Sequence, residues 1–122
     1  MSIAIKREYP DDYEFIGFFE VEPEMTDEDI PWYYNTLTYF TERAGVSVEC
    51  IISPAYGDMD LKLLIAGKEL TALSVSYINK ILFESKVGKE TMIVDFPDKL
   101  NLQPLILQLK PTVNLSWGTE LE

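Results

Sequence analysis

The chain has 122 residues, 47% of them hydrophobic, which is enough apolar material for one core, and its formal net charge of −11 reflects 21 acidic against 10 basic residues. It contains no histidine, which excludes Ser-His-Asp and Cys-His catalytic units and any His-ligated metal site. Its single cysteine excludes an intramolecular disulfide, and the acidic balance argues against nucleic acid or an anionic membrane as a direct partner.

Taken in order, residues 3–8 read as a short first strand, and Tyr9-Pro10-Asp11-Asp12 reads as a turn. Phe15 to Val21 is rich in aromatic and β-branched residues and reads as a second strand closed by Pro23. Glu24 to Asp29 is an acidic loop that leads into a helix predicted from about Ile30 to Ala44. Ile30, Tyr33, Leu37, Phe40 and Ala44 are spaced 3, 4, 3 and 4 apart, an amphipathic stripe. In that reading Pro31 occupies the tolerant first turn, Asp27, Glu28 and Asp29 face the positive end of the helix dipole, and Gly45 is the C-terminal cap.

Val46 to Ser53 is a β-type run, Pro54 to Asp58 a turn, and Asp60 to Ala66 another strand, followed by a turn at Gly67-Lys68-Glu69. Leu70, Leu73, Tyr77 and Ile81 form the apolar stripe of a second helix, Leu70 to Ser85, against a competing strand reading of Leu70 to Val75. From Thr91 the pattern is β again. Met92, Val94 and Phe96 alternate before Pro97, then Leu105, Leu107 and Leu109, then Val113, Leu115 and Trp117, with Pro111 marking a hairpin or a bulge. Residues 118–122 are expected to form a frayed tail. The order implies one α+β domain over residues 1–122: a mostly antiparallel sheet of about five or six strands with one or two helices packed on one face. A small open barrel with one helix is the alternative.

The charge is not spread evenly. Glu8 to Glu42 holds 11 acids and no base, while the rest of the chain holds 10 of each, and the same segment carries 10 of the 15 aromatic residues. Three of those acids are assigned to the predicted helix start, and eight are not.

Nucleophile-elbow, phosphate-loop and dinucleotide-binding glycine patterns are absent. Gly67-Lys68 and Gly88-Lys89 read as turns. Cys50 lies mid-strand with no neighbouring cation and reads as a small core residue. Paired carboxylates are too numerous for any one pair to indicate catalysis. Neither Glu24–Asp29 nor Asp58-Met59-Asp60 has the spacing of a calcium loop. No cofactor and no metal site are expected, and no enzymatic activity.

Solubility accounts for an acidic surface, but not for its confinement to one third of the chain. The candidate partner-binding set is Glu20, Glu22, Glu24, Asp27, Glu28 and Asp29 as an acidic rim, with Trp32, Tyr34 and Tyr39 as aromatic anchors of the kind enriched at interface hot spots. Core or half-buried boundary is the usual place of such aromatics beside the predicted helix stripe, and it is the competing reading. No apolar run is long enough for a signal peptide or a membrane span, so a cytoplasmic location is expected. The functional expectation is a non-catalytic inhibitor whose acidic face covers a basic protein. An immunity protein that neutralises a nuclease-type toxin fits, because such a toxin has a cationic substrate groove. The alternative is a structural, adaptor or self-associating domain whose charge serves solubility.

Overall fold

The computed structural model describes residues 8–118. The first strand expected at residues 3–8 lies outside them except for Glu8, whose backbone exchanges hydrogen bonds with Asn79 and Ile81 at 3.1 and 2.9 Å. Of the expected tail only Gly118 is described, and its carbonyl accepts the N–H of Gln103.

Among the described residues one α-helix and two antiparallel sheets make the fold. The helix α1 (Asp12–Phe19) is followed by β1 (Glu24–Met25), β2 (Leu37–Arg43), β3 (Val46–Ser53), β4 (Asp58–Ile65) and β5 (Lys68–Val75). These strands form the first sheet, in sequence order. β6 (Lys80–Lys86), β7 (Lys89–Asp95), β8 (Leu105–Lys110) and β9 (Asn114–Ser116) form the second, also in sequence order. The α+β, mostly antiparallel expectation holds. The strand count does not, because the described residues form nine strands in two sheets where five or six in one were expected.

Three predicted elements are corrected. Phe15 to Val21 is not a strand: Asp12–Phe19 is helical, and Phe15, Phe18 and Phe19 fall at the helical spacing that buries all three. The entry signal was local. Glu14 accepts the backbone N–H of Asp11 at 2.8 Å, the return arm of a capping box.

The helix expected at Ile30–Ala44 is a single 3-10 turn, Trp32–Tyr34, followed by β2. Its stripe mixed two periods. Leu37, Tyr39 and Thr41 are buried at period two, while Phe40 is 52% exposed on the opposite face. β-branched and aromatic side chains from Thr38 to Thr41 fit that pleat, and Gly45 turns a hairpin instead of capping a helix.

The helix expected at Leu70–Ser85 is β5 and β6, so the competing strand reading of Leu70 to Val75 is the one observed. Ala44-Gly45, Ala66-Gly67 and Val87-Gly88 each link two strands with positive φ at both residues, the type I′ geometry whose twist matches a hairpin. Only the second residue of each pair is glycine, so the alanines and Val87 carry the strain.

Inward-facing residues of both sheets join the helix in one buried cluster. Phe15 and Phe19 stack on Tyr39 of β2, with ring centroids 5.9 and 4.8 Å apart, while Phe15 and Phe18 pack on Phe83 of β6 at 5.0 and 4.8 Å. A helix of eight residues is not stable alone in water, so these contacts hold it in place and it joins the sheets.

This packing predicts opposite outcomes for two phenylalanines. Phe15→Ala is expected to cost about 3 to 5 kcal/mol by chemical denaturation, and Phe40→Ala to stay within about 0.5 kcal/mol. Equal losses would show that the two faces of the first sheet have been assigned wrongly.

Candidate partner-binding surface

The structure separates the nine candidate residues. Glu20 ends α1 in the left-handed region at φ 59°, and its carboxylate accepts from Arg43 at 3.0 Å and Lys110 at 2.8 Å. Arg43 also donates to the carbonyl of Phe19 at 3.1 Å, and Lys110 lies 3.3 Å from Glu90. Arg43 is on β2 and Lys110 on β8, so this network ties the end of the helix to both sheets. The Lys110 hydrogen bond, reinforced by the charges of Lys110 and Arg43, holds the Glu20 carboxyl below its ordinary value. Glu20 is a neutralised structural acid.

Asp27, Glu28 and Asp29 lie in an exposed loop between β1 and β2, wound around Asn35. Asn35 is 3% exposed. Its amide donates to the carbonyls of Asp27 and Ile30, and its carbonyl accepts from Asp27 and Thr36. The Asp27 carboxylate accepts the N–H of Asp29 at 3.0 Å. No helix longer than the Trp32–Tyr34 turn follows, so the dipole role expected for these acids is replaced by loop geometry.

The aromatic candidates divide as well. Tyr39 is fully buried, and its hydroxyl accepts from Trp32 Nε1 at 3.3 Å. Burial pushes the Tyr39 phenol up to about 12. Trp32 is half-buried against Phe15, 5.3 Å between ring centroids. Tyr34 alone of the three is open to solvent, at 66%. Of the two readings for these aromatics, Tyr39 takes the core position and Trp32 the half-buried boundary, and neither is an exposed anchor.

Strand register builds a surface that sequence order conceals. On the outer face of the first sheet, Glu24, Thr38, Ile51, Asp60 and Ser74 form one cross-strand row. Phe40, Glu49, Lys62 and Ala72 form the next, and Glu42, Ser47, Leu64 and Glu69 the one after. Val21, Glu22, Glu24, Thr38, Phe40 and Glu49 line a shallow depression of about 250 Å³. This face thus carries Glu22, Glu24, Glu42 and Glu49 near the exposed ring of Phe40, with Asp60 and Glu69 two and three strands further across and Lys62 as the base in those rows.

Between residues 8 and 77 there are 15 acids and 3 bases, and between 78 and 118 there are 4 acids and 5 bases. The negative charge belongs to the helix and the first sheet. Glu49, Asp60 and Glu69 lie outside the acidic segment and were missed as candidates. Phe40 was missed because it had been placed in the core. The alternation of Leu37 to Glu42 was the available signal for its side of the sheet.

Cys50 is buried, and burial, with the Asp60 charge, pushes its thiol up to about 12. Among the described residues no group of three or more Cys, Asp or Glu is placed to hold a metal ion.

No protein-family model and no curated protein matches the chain. Among solved structures it is similar to a chain of a complex described as "Contact-dependent growth inhibition toxin - immunity protein complex from Klebsiella pneumoniae 342". The TM-score is 0.79 at 16% identity, covering 94% of this chain and 98% of the other. The likeness is one of fold, over nearly the whole of both chains.

The Glu20 network carries a pH dependence. A carboxyl whose pKa falls on folding stabilises the folded state above its unfolded value, and that contribution is lost as pH drops through the folded value. Lys110→Met is expected to flatten the fall in melting temperature on the acid side of pH 4.5, the ordinary Glu value, since Lys110 is the largest cause of the shift. An acid limb that overlays the wild type would contradict this role for Lys110.

Proposed function

We propose that the chain is the inhibitory member of a toxin–immunity pair, a non-catalytic immunity protein whose partner is a basic, nuclease-type toxin. The observation that carries this reading is the outer face of the first sheet, where Glu22, Glu24, Glu42 and Glu49, without an ion pair among the described residues, lie near the exposed Phe40. Such a face supplies both parts of an interface: a rim of charge that steers encounter and an apolar anchor that slows escape. The shared fold with a chain of a toxin–immunity complex supports it. Of the two roles in such a pair, the inhibitor suits this chain, because it has no histidine, its one thiol is buried, and its charge has the sign that fills a cationic groove.

A cytoplasmic location belongs to the same proposal. Among the described residues no helix is long and apolar enough to cross a membrane. We take residues 1–122 as one domain. The partner-binding set we propose keeps Glu22, Glu24, Asp27, Glu28, Asp29 and Tyr34, and adds Phe40, Glu42 and Glu49.

The test uses the product of the gene directly upstream of the one that encodes this chain, and association kinetics at low and high salt. Replacing Glu22, Glu24, Glu42 and Glu49 together by Gln is expected to slow association about tenfold at low salt and little at high salt. Phe40→Ala is expected to speed dissociation by about 30-fold, the equivalent of about 2 kcal/mol. A structural or self-associating domain predicts no binding to that protein, or binding indifferent to both salt and these substitutions, and either result would overturn the proposal.

A further inference from the structure

Sheet edges are where a β protein is open to another chain, and the edges of this fold are closed unequally. β1 has two residues and β9 has three, with Pro111 just before it. β6 carries Lys80, Glu84 and Lys86, and its start is bridged by Glu8. Short strands, charges and proline are the usual means of blunting an edge. β5 has none of these along most of its length. It spans eight residues, pairs only with β4 among the described strands, and from Leu70 to Val75 contains no charge, proline or glycine. Leu70 stands at the bulge opposite Leu63/Leu64 and is 63% exposed.

We infer that the β5 edge receives an extended strand of the basic partner, which continues the first sheet beyond residues 70–75. The inference rests on the inhibitor reading above and names where and how the partner docks. Main-chain hydrogen bonds along an edge supply affinity, and alternate side chains supply specificity.

The register defines the chemistry of the incoming strand. On the outer face its residue beside Ser74 lies two strand spacings, about 10 Å, from Asp60, within reach of a Lys or Arg side chain. Its residue aligned with Glu69 also meets an acid. On the inner face Thr71 and Leu73 are half-buried, so the positions beside them call for apolar groups. The strand that fits alternates basic and apolar residues.

Charge also selects against a second copy. Pairing two β5 edges would join two first sheets, each belonging to a half with 15 acids and 3 bases. A basic partner meets the same field with the favourable sign.

The experiment is amide hydrogen exchange on the wild-type chain, free and mixed with the product of the gene directly upstream of its own, with light scattering on the free chain. The expected result is a free monomer with unprotected outward amides in β5, and at least tenfold slower exchange at two or more amides of residues 70–75 in the complex. The β9 edge is expected to be unchanged. Ala72→Pro is expected to weaken binding at least tenfold, and if it unfolds the chain the wild-type exchange decides alone. Binding without β5 protection overturns this inference and leaves the inhibitor reading standing. No binding overturns both. A free chain that is dimeric, or already protected along 70–75, shows that a second copy or the chain itself occupies the edge, and also overturns it.

Discussion

The aromatic junction at α1 is the constraint on which the rest of the fold depends. Each sheet is an uninterrupted meander, one within residues 24–75 and the other within 80–116, and among the described residues no strand of one pairs with a strand of the other. Phe15, Phe18 and Phe19 close the gap by meeting Tyr39 on one side and Phe83 on the other. Aromatic pairs of this kind contribute roughly 0.5 to 1.5 kcal/mol each beyond the area they bury. Glu20 then fastens the end of the helix to β2 and β8 through Arg43 and Lys110.

With the core built between the sheets, the outer face of the first sheet has no structural duty. That freedom explains how so many acids are tolerated there. In solvent, like charges repel only weakly across the strand spacing, and the same charges on the inner face would each carry a large desolvation cost. The arrangement divides the chain between a nearly neutral second sheet and a strongly negative helix and first sheet.

Much of the β structure was legible because it was locally consistent. Val46 to Ser53 is the same in sequence pattern and structure, and the alternations at Met92, Leu105 and Leu115 lie in real strands. The failures came where two periods coincide. Ile30, Tyr33, Leu37, Phe40 and Ala44 satisfy a helical stripe, yet Thr38 to Thr41 prefer a pleat and Gly45 prefers a turn, and pairing with β3 decides between them. At Phe15 to Phe19 the error ran the other way, with aromatic composition outweighing the Asp11 and Glu14 helix start. The surface was less legible than the fold. Its acidity was visible, but the path from Phe40 to Glu49 and Lys62 runs across hairpins, and a residue's side of a sheet is known only once register is known. Trp32 and Tyr39 carry a hot-spot composition, but Tyr39 lies in the core and Trp32 at its boundary.

The central claim is that the negative first sheet, and not the second, is the face that meets a basic protein. Backbone chemical-shift mapping of the isotope-labelled chain, titrated with the product of the gene directly upstream of its own, tests this most directly. The account predicts perturbations concentrated on residues 22–24, 38–42, 49 and 70–75. Perturbations confined to the outer face of β6 to β9, around Leu82, Ile93 and Ile106, would contradict it.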